Sequence, residues 1–122
     1  MTRRILIADD SGSIRQMLGF VLTQAGFEVM SAQDGQDALS KAPDFNPHLV
    51  ITDLNMPNIN GIELVKKLRG IASFRFIPIL VLTTEGQEEM KQAGKAAGAT
   101  GWLVKPFQPE KLLAVVNKVL PN

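Results

Sequence analysis

Five apolar runs of strand length alternate in this chain with stretches whose apolar residues recur every three or four positions. Ile5 to Ala8, Phe27 to Ala32, Leu49 to Thr52, Ile77 to Leu82 and Gly101 to Val104 read as strands. The best of these runs are apolar throughout rather than alternating, which is the mark of a sheet covered on both faces. Between them lie helical stripes. Ile14, Met17, Leu18, Val21, Leu22 and Ala25 form the first, closed by Gly26. Asp34 can cap a second helix carrying Ala38, Leu39 and Ala42, which Pro43 is expected to end. Asn60 can cap a third with Ile62, Leu64, Val65 and Leu68, followed by Gly70. Gln87 to Ala97 reads as a fourth, with Met90, Ala93 and Ala97 on its inner face and Gly98 at its end. Pro109 opens a fifth with Leu112, Leu113, Val116 and Leu120. Alternation of this kind predicts an α/β domain with a parallel sheet and right-handed crossovers. Pattern alone leaves the strand order open.

The ends of those runs carry the chemistry. Asp9 and Asp10 follow the first strand, Asp53 the third, Thr83 the fourth and Lys105 the fifth. In an open parallel sheet the carboxyl ends of the strands share one edge, and ligands collect there. Two adjacent acids at one turn are equally well explained as a polar strand end with a helix cap. Three acids converging on one edge repel each other, and something must offset that. A divalent cation does so, and an oxygen-only donor set selects a hard one such as magnesium. Zinc is disfavoured, because the only histidine, His48, sits at the opposite end of the third strand and reads as a surface residue. The loop Asp10-Ser11-Gly12-Ser13 lacks the Walker spacing, and its acids would repel a bare phosphate, so a nucleotide- or FMN-binding role scores low. Lys105 would face the acids across the same edge, and a hydroxyl at Thr83 could donate to a phosphoryl oxygen. The Lys105-Pro106 bond is expected to be cis, aiming the lysine into the pocket.

Composition narrows the classes. At 122 residues the chain is long enough for one domain, read as spanning 1–122 with no linker or repeat. Thirteen basic and 12 acidic residues give a formal net charge of +1, so nothing argues for nucleic acid or an anionic membrane surface. Cysteine is absent, which removes disulfides, thiolate metal sites and thiol nucleophiles. The first apolar run is too short for a signal sequence or a membrane span, and a cytoplasmic monomer is expected.

Taken together, Asp9-Asp10-Ser11, Asp53-Leu54-Asn55-Met56-Pro57, Asn60-Gly61, Pro78, Thr83 and Lys105-Pro106-Phe107 resemble the receiver domain of two-component response regulators. The resemblance is strongest to the single-domain, CheY-like chemotaxis type and spans essentially the whole chain. It implies a flavodoxin-like doubly wound (βα)5 sandwich with strand order 2-1-3-4-5, the order the family shares with flavodoxin. It implies Asp53 as phosphoacceptor from a histidine kinase. Asp10, Asp53 and the backbone carbonyl of Asn55 would hold Mg2+, with Asp9 acting through water. Lys105 would pair with Asp53 and then with the phosphoryl group. Thr83 would bond a phosphoryl oxygen, and Trp102 would be the aromatic whose position reports activation. The fourth helix, with Gly94 and a mostly alanine inner face, should be weakly anchored.

The function so implied is a phosphorylation-switched signalling module without an output domain. It would not be an enzyme beyond self-catalysed phosphorylation and dephosphorylation. Its partners would be a histidine kinase and a phosphorylation-dependent protein target such as a flagellar motor switch, with chemotaxis or motility as the expected pathway. The rivals are a phosphorelay intermediate, a receiver cut from a longer regulator, and a magnesium-dependent phosphohydrolase. Hydrolases similar to the haloacid dehalogenase group need a second acid two residues after the nucleophile. Asn55 stands there and cannot serve. The chain departs from the family at Trp102, where phenylalanine or tyrosine is commoner, and at Thr84, where alanine or serine is usual. The larger ring is expected to bury incompletely, and the extra methyl to narrow access to Asp53.

Overall fold

The computed structural model describes residues 2–84 and 88–120. Five strands and five helices alternate: β1 (Arg4–Ala8), α1 (Gly12–Gln24), β2 (Glu28–Ala32), α2 (Gly35–Phe45), β3 (Leu49–Asp53), α3 (Gly61–Arg69), β4 (Ile79–Thr84), α4 (Glu88–Ala97), β5 (Gly101–Lys105) and α5 (Pro109–Val119). A short 3-10 turn, Ala72–Phe74, precedes β4. The strands form one parallel sheet in the order β2-β1-β3-β4-β5, the doubly wound flavodoxin-like arrangement.

Side chains alternate across the sheet and build two cores. Ile5, Ile7, Leu49, Ile51, Leu80, Leu82 and Leu103 face Leu18 and Leu22 of α1 and Leu112 and Val116 of α5. Leu6, Ala8, Val50, Ile79 and Val81 face Ala38 and Ala42 of α2 and Leu64, Val65 and Leu68 of α3. Both faces of the central strands are therefore dry, which is why β1, β3 and β4 read as unbroken apolar runs.

Several boundaries differ from expectation for physical reasons. The second helix continues through Pro43 to Phe45 and stops at Asn46, whose left-handed φ of 53° and N–H to Ala42 O close it. A proline in the last turn removes one helical bond, and the inward burial of Phe45 offsets that loss. The fourth strand starts at Ile79, not Ile77, because Pro78 has no N–H for the ladder and offers only its carbonyl, to Val50 N. The strand also runs on to Thr84. His48 is half-buried rather than a plain surface residue, and its Nδ1 accepts the Arg4 backbone N–H at 2.9 Å. Burial and the neighbouring Arg4 and Arg3 charges push its pKa down, favouring the neutral ring that this bond needs. On α4 the inner residue is Gly94, while Met90 and Ala93 are exposed and Ala97 is partly buried. The expected helix start at Gln87 lies outside the described residues.

Candidate functional site

The parallel register brings the strand ends level. Ala8 pairs with Thr52, so Asp9 follows beside Asp53. Asp53 pairs with Leu82, Thr83 with Val104 and Thr84 with Lys105. Carboxylate oxygens of Asp9, Asp10 and Asp53 all lie within 4.8 Å of one another. Asp9 is completely buried, Asp53 nearly so, and Asp10 exposed.

Each acid is held differently. Asp9 Oδ1 accepts the Ser11 backbone N–H at 2.9 Å, and its Oδ2 lies 3.3 Å from Lys105 Nζ. The Arg15 guanidinium, one turn into α1, donates to the Asp9 carbonyl at 2.7 Å and ties down the β1–α1 turn from the other side. Ser11 caps α1 by accepting from Ile14 N. Asp53 Oδ1 accepts the Leu54 N–H at 2.9 Å and lies 3.2 Å from Lys105 Nζ. Lys105 thus bridges the two buried acids, and its peptide bond to Pro106 is cis. Asp10 makes no hydrogen bond or ion pair with the described residues, so its carboxylate is available to a ligand.

Burial raises the Asp53 pKa above the usual carboxylate range, and the Asp9 charge raises it further. Lys105 and the Leu54 N–H pull the other way. The net direction means that the ionised form is disfavoured in this buried pocket. The donor set is all oxygen, two of the acids are buried, and the third points to solvent. That is a fit to a hard divalent cation, since magnesium takes few carboxylates and keeps several waters. Asn55 lies exposed two residues past the end of β3.

Thr83 supplies a second sign of a ligand. It is 1% exposed, and its hydroxyl has no hydrogen-bond partner among the described residues. Buried hydroxyls are normally satisfied, and an orphan at a strand end beside an acidic pocket is a donor in waiting. Thr84, its exposed neighbour, lies beside Lys105. Trp102 pairs with Val81, so its ring shares the sheet face of Val81 and Thr83 and packs with the α2–α3 core, partly buried.

Two supports, Arg15 and Arg69, escaped sequence reasoning, whereas Asn60 and Gly61 stood in its motif and now gain a structural reason. Gly61 opens α3 directly behind the pocket: a β-carbon there would stand 3.0 Å from Leu54 Cα and collide with the Asp53 carbonyl. Only glycine lets α3 approach Asp53 so closely. The Asn60–Glu63 capping box fixes the same corner. Arg15 was passed over because a single arginine on a helix has no local signal. Arg69, at the end of α3, donates to the carbonyls of Phe74, Arg75, Ile77 and Gly98, binding the far ends of α3, β4 and α4 together.

Known proteins are similar to this chain in sequence and fold. Residues 5–117 match the response regulator receiver domain. The chemotaxis protein CheY4 of Vibrio cholerae is 50% identical, with a TM-score of 0.94 over 98% of this chain and 99% of its own. The chemotaxis protein CheY of Thermotoga maritima is 38% identical over 98% of each chain. The phosphate regulon transcriptional regulatory protein PhoB of Escherichia coli (strain K12) is 37% identical over 98% of this chain and 52% of its own length. The chain therefore spans about half the length of PhoB and nearly all of the CheY proteins. Among the described residues no helix is long and apolar enough to cross a membrane. With the strand order, the convergent acids and the bridging lysine in place, the chain belongs to the response regulator receiver family.

Proposed function

We propose that the chain is a phosphorylation-switched signalling module in which Asp53 is the phosphoacceptor. The observation that carries this is the Asp53 carboxylate itself: buried, bridged by Lys105 to Asp9, and within 4.8 Å of the other acids. An Asp53 oxygen attacks the phosphorus of a phosphohistidine on a partner kinase. The new O–P bond forms as the P–N bond breaks, and the imidazole leaves. Asp9, Asp10, Asp53 and the Asn55 carbonyl would hold Mg2+, which when bound supplies charge neutralisation for the transferred group. Lys105 contributes a second positive charge at the reacting edge. Thr83 donates its orphan hydroxyl to a phosphoryl oxygen of the product, and Trp102 follows on the same sheet face. The same groups promote loss of the phosphoryl group to water, so the protein is a phosphotransfer substrate rather than an enzyme with a turnover substrate.

Chemotaxis or motility is the pathway we infer, with a protein target such as a flagellar motor switch. The 50% identity to CheY4 over nearly the whole of both chains supports it. A second reading, a receiver belonging to a longer transcriptional regulator, is favoured by the half-length match to PhoB. Acetyl phosphate with magnesium should add one base-labile phosphoryl group, and Asp53→Asn should abolish the addition. Undiminished incorporation in that variant would place the nucleophile elsewhere. Binding of the beryllofluoride-activated chain to a flagellar switch protein, compared with promoter DNA binding by the longest natural form, separates the two pathways.

A further inference from the structure

Glycine is, after proline, the poorest helix former, yet Gly94 sits in the interior of α4. Among the helix residues whose burial is described, it is the one that is buried. What covers it is the ring of Trp102. A β-carbon at position 94 would stand 2.5 Å from Trp102 Cζ2, closer still to Cη2, and 3.4 Å from Cζ3. The benzo half of the indole therefore lies directly on the helix backbone, in a notch that any side chain at 94 would fill. One turn on, Gly98 N bonds Gly94 O, and Arg69 holds Gly98 O from both Nε (3.0 Å) and Nη2 (2.8 Å). The helix is thus fixed at its C-terminal end, with the ring seated one turn before that fixed point.

We infer that Gly94 is the seat of Trp102 and that the seated ring latches α4 in its resting position. The inference rests on the phosphorylation switch proposed above and names the contact that the switch must break. Thr83 and Trp102 share a sheet face, so a pull on Thr83 towards Asp53 changes the space beside the ring. When the ring leaves Gly94, α4 loses the packing that covers its buried position and can turn about the end that Arg69 holds. Residue 94 is then a positioning residue: it touches no reacting atom and sets the balance between the two states. The pairing also accounts for a tryptophan at 102, because the atoms that reach Gly94 are those a smaller ring lacks.

The test is Gly94→Ala. Helix propensity alone would make this substitution stabilising. The seat reverses the sign: the methyl displaces the indole, the melting temperature falls, and emission from the sole tryptophan shifts to the red with greater iodide quenching. In a Trp102→Phe background, where the obstructing atoms are gone, the same change should raise the melting temperature. These measurements need no phosphoryl donor, so they stand apart from any failure of Asp53 phosphorylation. Gly94→Ala should also bind beryllofluoride with magnesium at least about fivefold more tightly than the parent, the lower end of ordinary coupling between sites. A higher melting temperature with unchanged emission in Gly94→Ala overturns the seat, and an unchanged beryllofluoride affinity overturns the latch. If Gly94→Ala fails to fold, recovery of a folded protein in the Trp102→Phe background supports the seat, and failure there as well refutes it.

Discussion

Replacing Thr83 by valine should stabilise the resting protein and, at the same time, blunt its response to activation. Thr83 is 1% exposed and its hydroxyl has no hydrogen-bond partner among the described residues. Leaving a buried hydroxyl unsatisfied costs roughly 1–3 kcal/mol, whereas an apolar group of the same shape avoids that cost. Valine keeps both branches at the β-carbon and suits a buried strand. A gain of about 1–2 kcal/mol would raise the melting temperature of a domain this size by roughly 4–8 °C. The assay is thermal and urea unfolding by circular dichroism without magnesium, comparing the parent, Thr83→Val and Thr83→Ala. Alanine also removes a methyl and leaves a small void, so its gain should be smaller or negative. Beryllofluoride with magnesium, a mimic of the phosphoryl group, should then change Trp102 emission in the parent and much less in Thr83→Val. A lower melting temperature in Thr83→Val would mean that the hydroxyl is already satisfied in the resting state, and the reasoning would fall.

The acidic cluster and its far-end anchor give three more tests. Because Asp53 has a raised folded pKa, the native state keeps its proton at a pH where the unfolded chain has lost it. Stability should therefore fall as pH rises from the ordinary carboxylate value through the folded pKa, and Asp53→Asn should remove that part of the decline, so the stability gap between variant and parent widens across the window. Magnesium should raise the melting temperature, by roughly 2.7 kcal/mol of stability at a hundredfold excess over its dissociation constant, and Asp10→Asn should raise it without magnesium while weakening the magnesium response; a destabilised metal-free Asp10→Asn would count against mutual repulsion. Arg69→Met should cost about 3 kcal/mol in urea unfolding, since it strips charge-assisted bonds from the carbonyls of Phe74, Ile77 and Gly98 together, and a loss below about 0.5 kcal/mol would assign those carbonyls to water.

The fold and the acidic site were legible for the same reason. Strands buried on both faces cannot tolerate a charge until they reach the edge, so the first acid or lysine after an apolar run marks its end. Asp9, Asp53 and Lys105 declare themselves in this way, and parallel pairing makes the ends converge. Legibility failed where the determining partner is remote. The extent of α2 past Pro43 depends on where Phe45 buries, and the start of β4 on a proline that can accept but not donate. Arg69, Arg15 and His48 each act on backbone groups more than four residues away, which no periodicity records. The inner face of α4 was misread for a related reason. A count of apolar side chains selects Met90, Ala93 and Ala97, but the buried position is a glycine whose apolar cover comes from β5.

That misreading points to why α4 rather than α3 is suited to move. The two helices pack against each other, yet they are secured in opposite ways. α3 begins in a capping box, carries Ile62, Leu64, Val65 and Leu68 into the core, and presses Gly61 against the backbone of Asp53. Moving it would open the acidic pocket itself. Among its described residues α4 buries Gly94 beneath an aromatic ring from the next strand, packs Ala97 partly into the core, and is followed by a carbonyl held by Arg69. Burial of apolar area scales with the side chains a helix supplies, and α4 supplies almost none. Two of the contacts that hold it come from other elements, one at its C-terminal end and one a turn earlier. Releasing the second leaves the first as a pivot. A helix held so lightly can be repositioned by the differential contacts of one phosphoryl group, which a four-residue core stripe would resist.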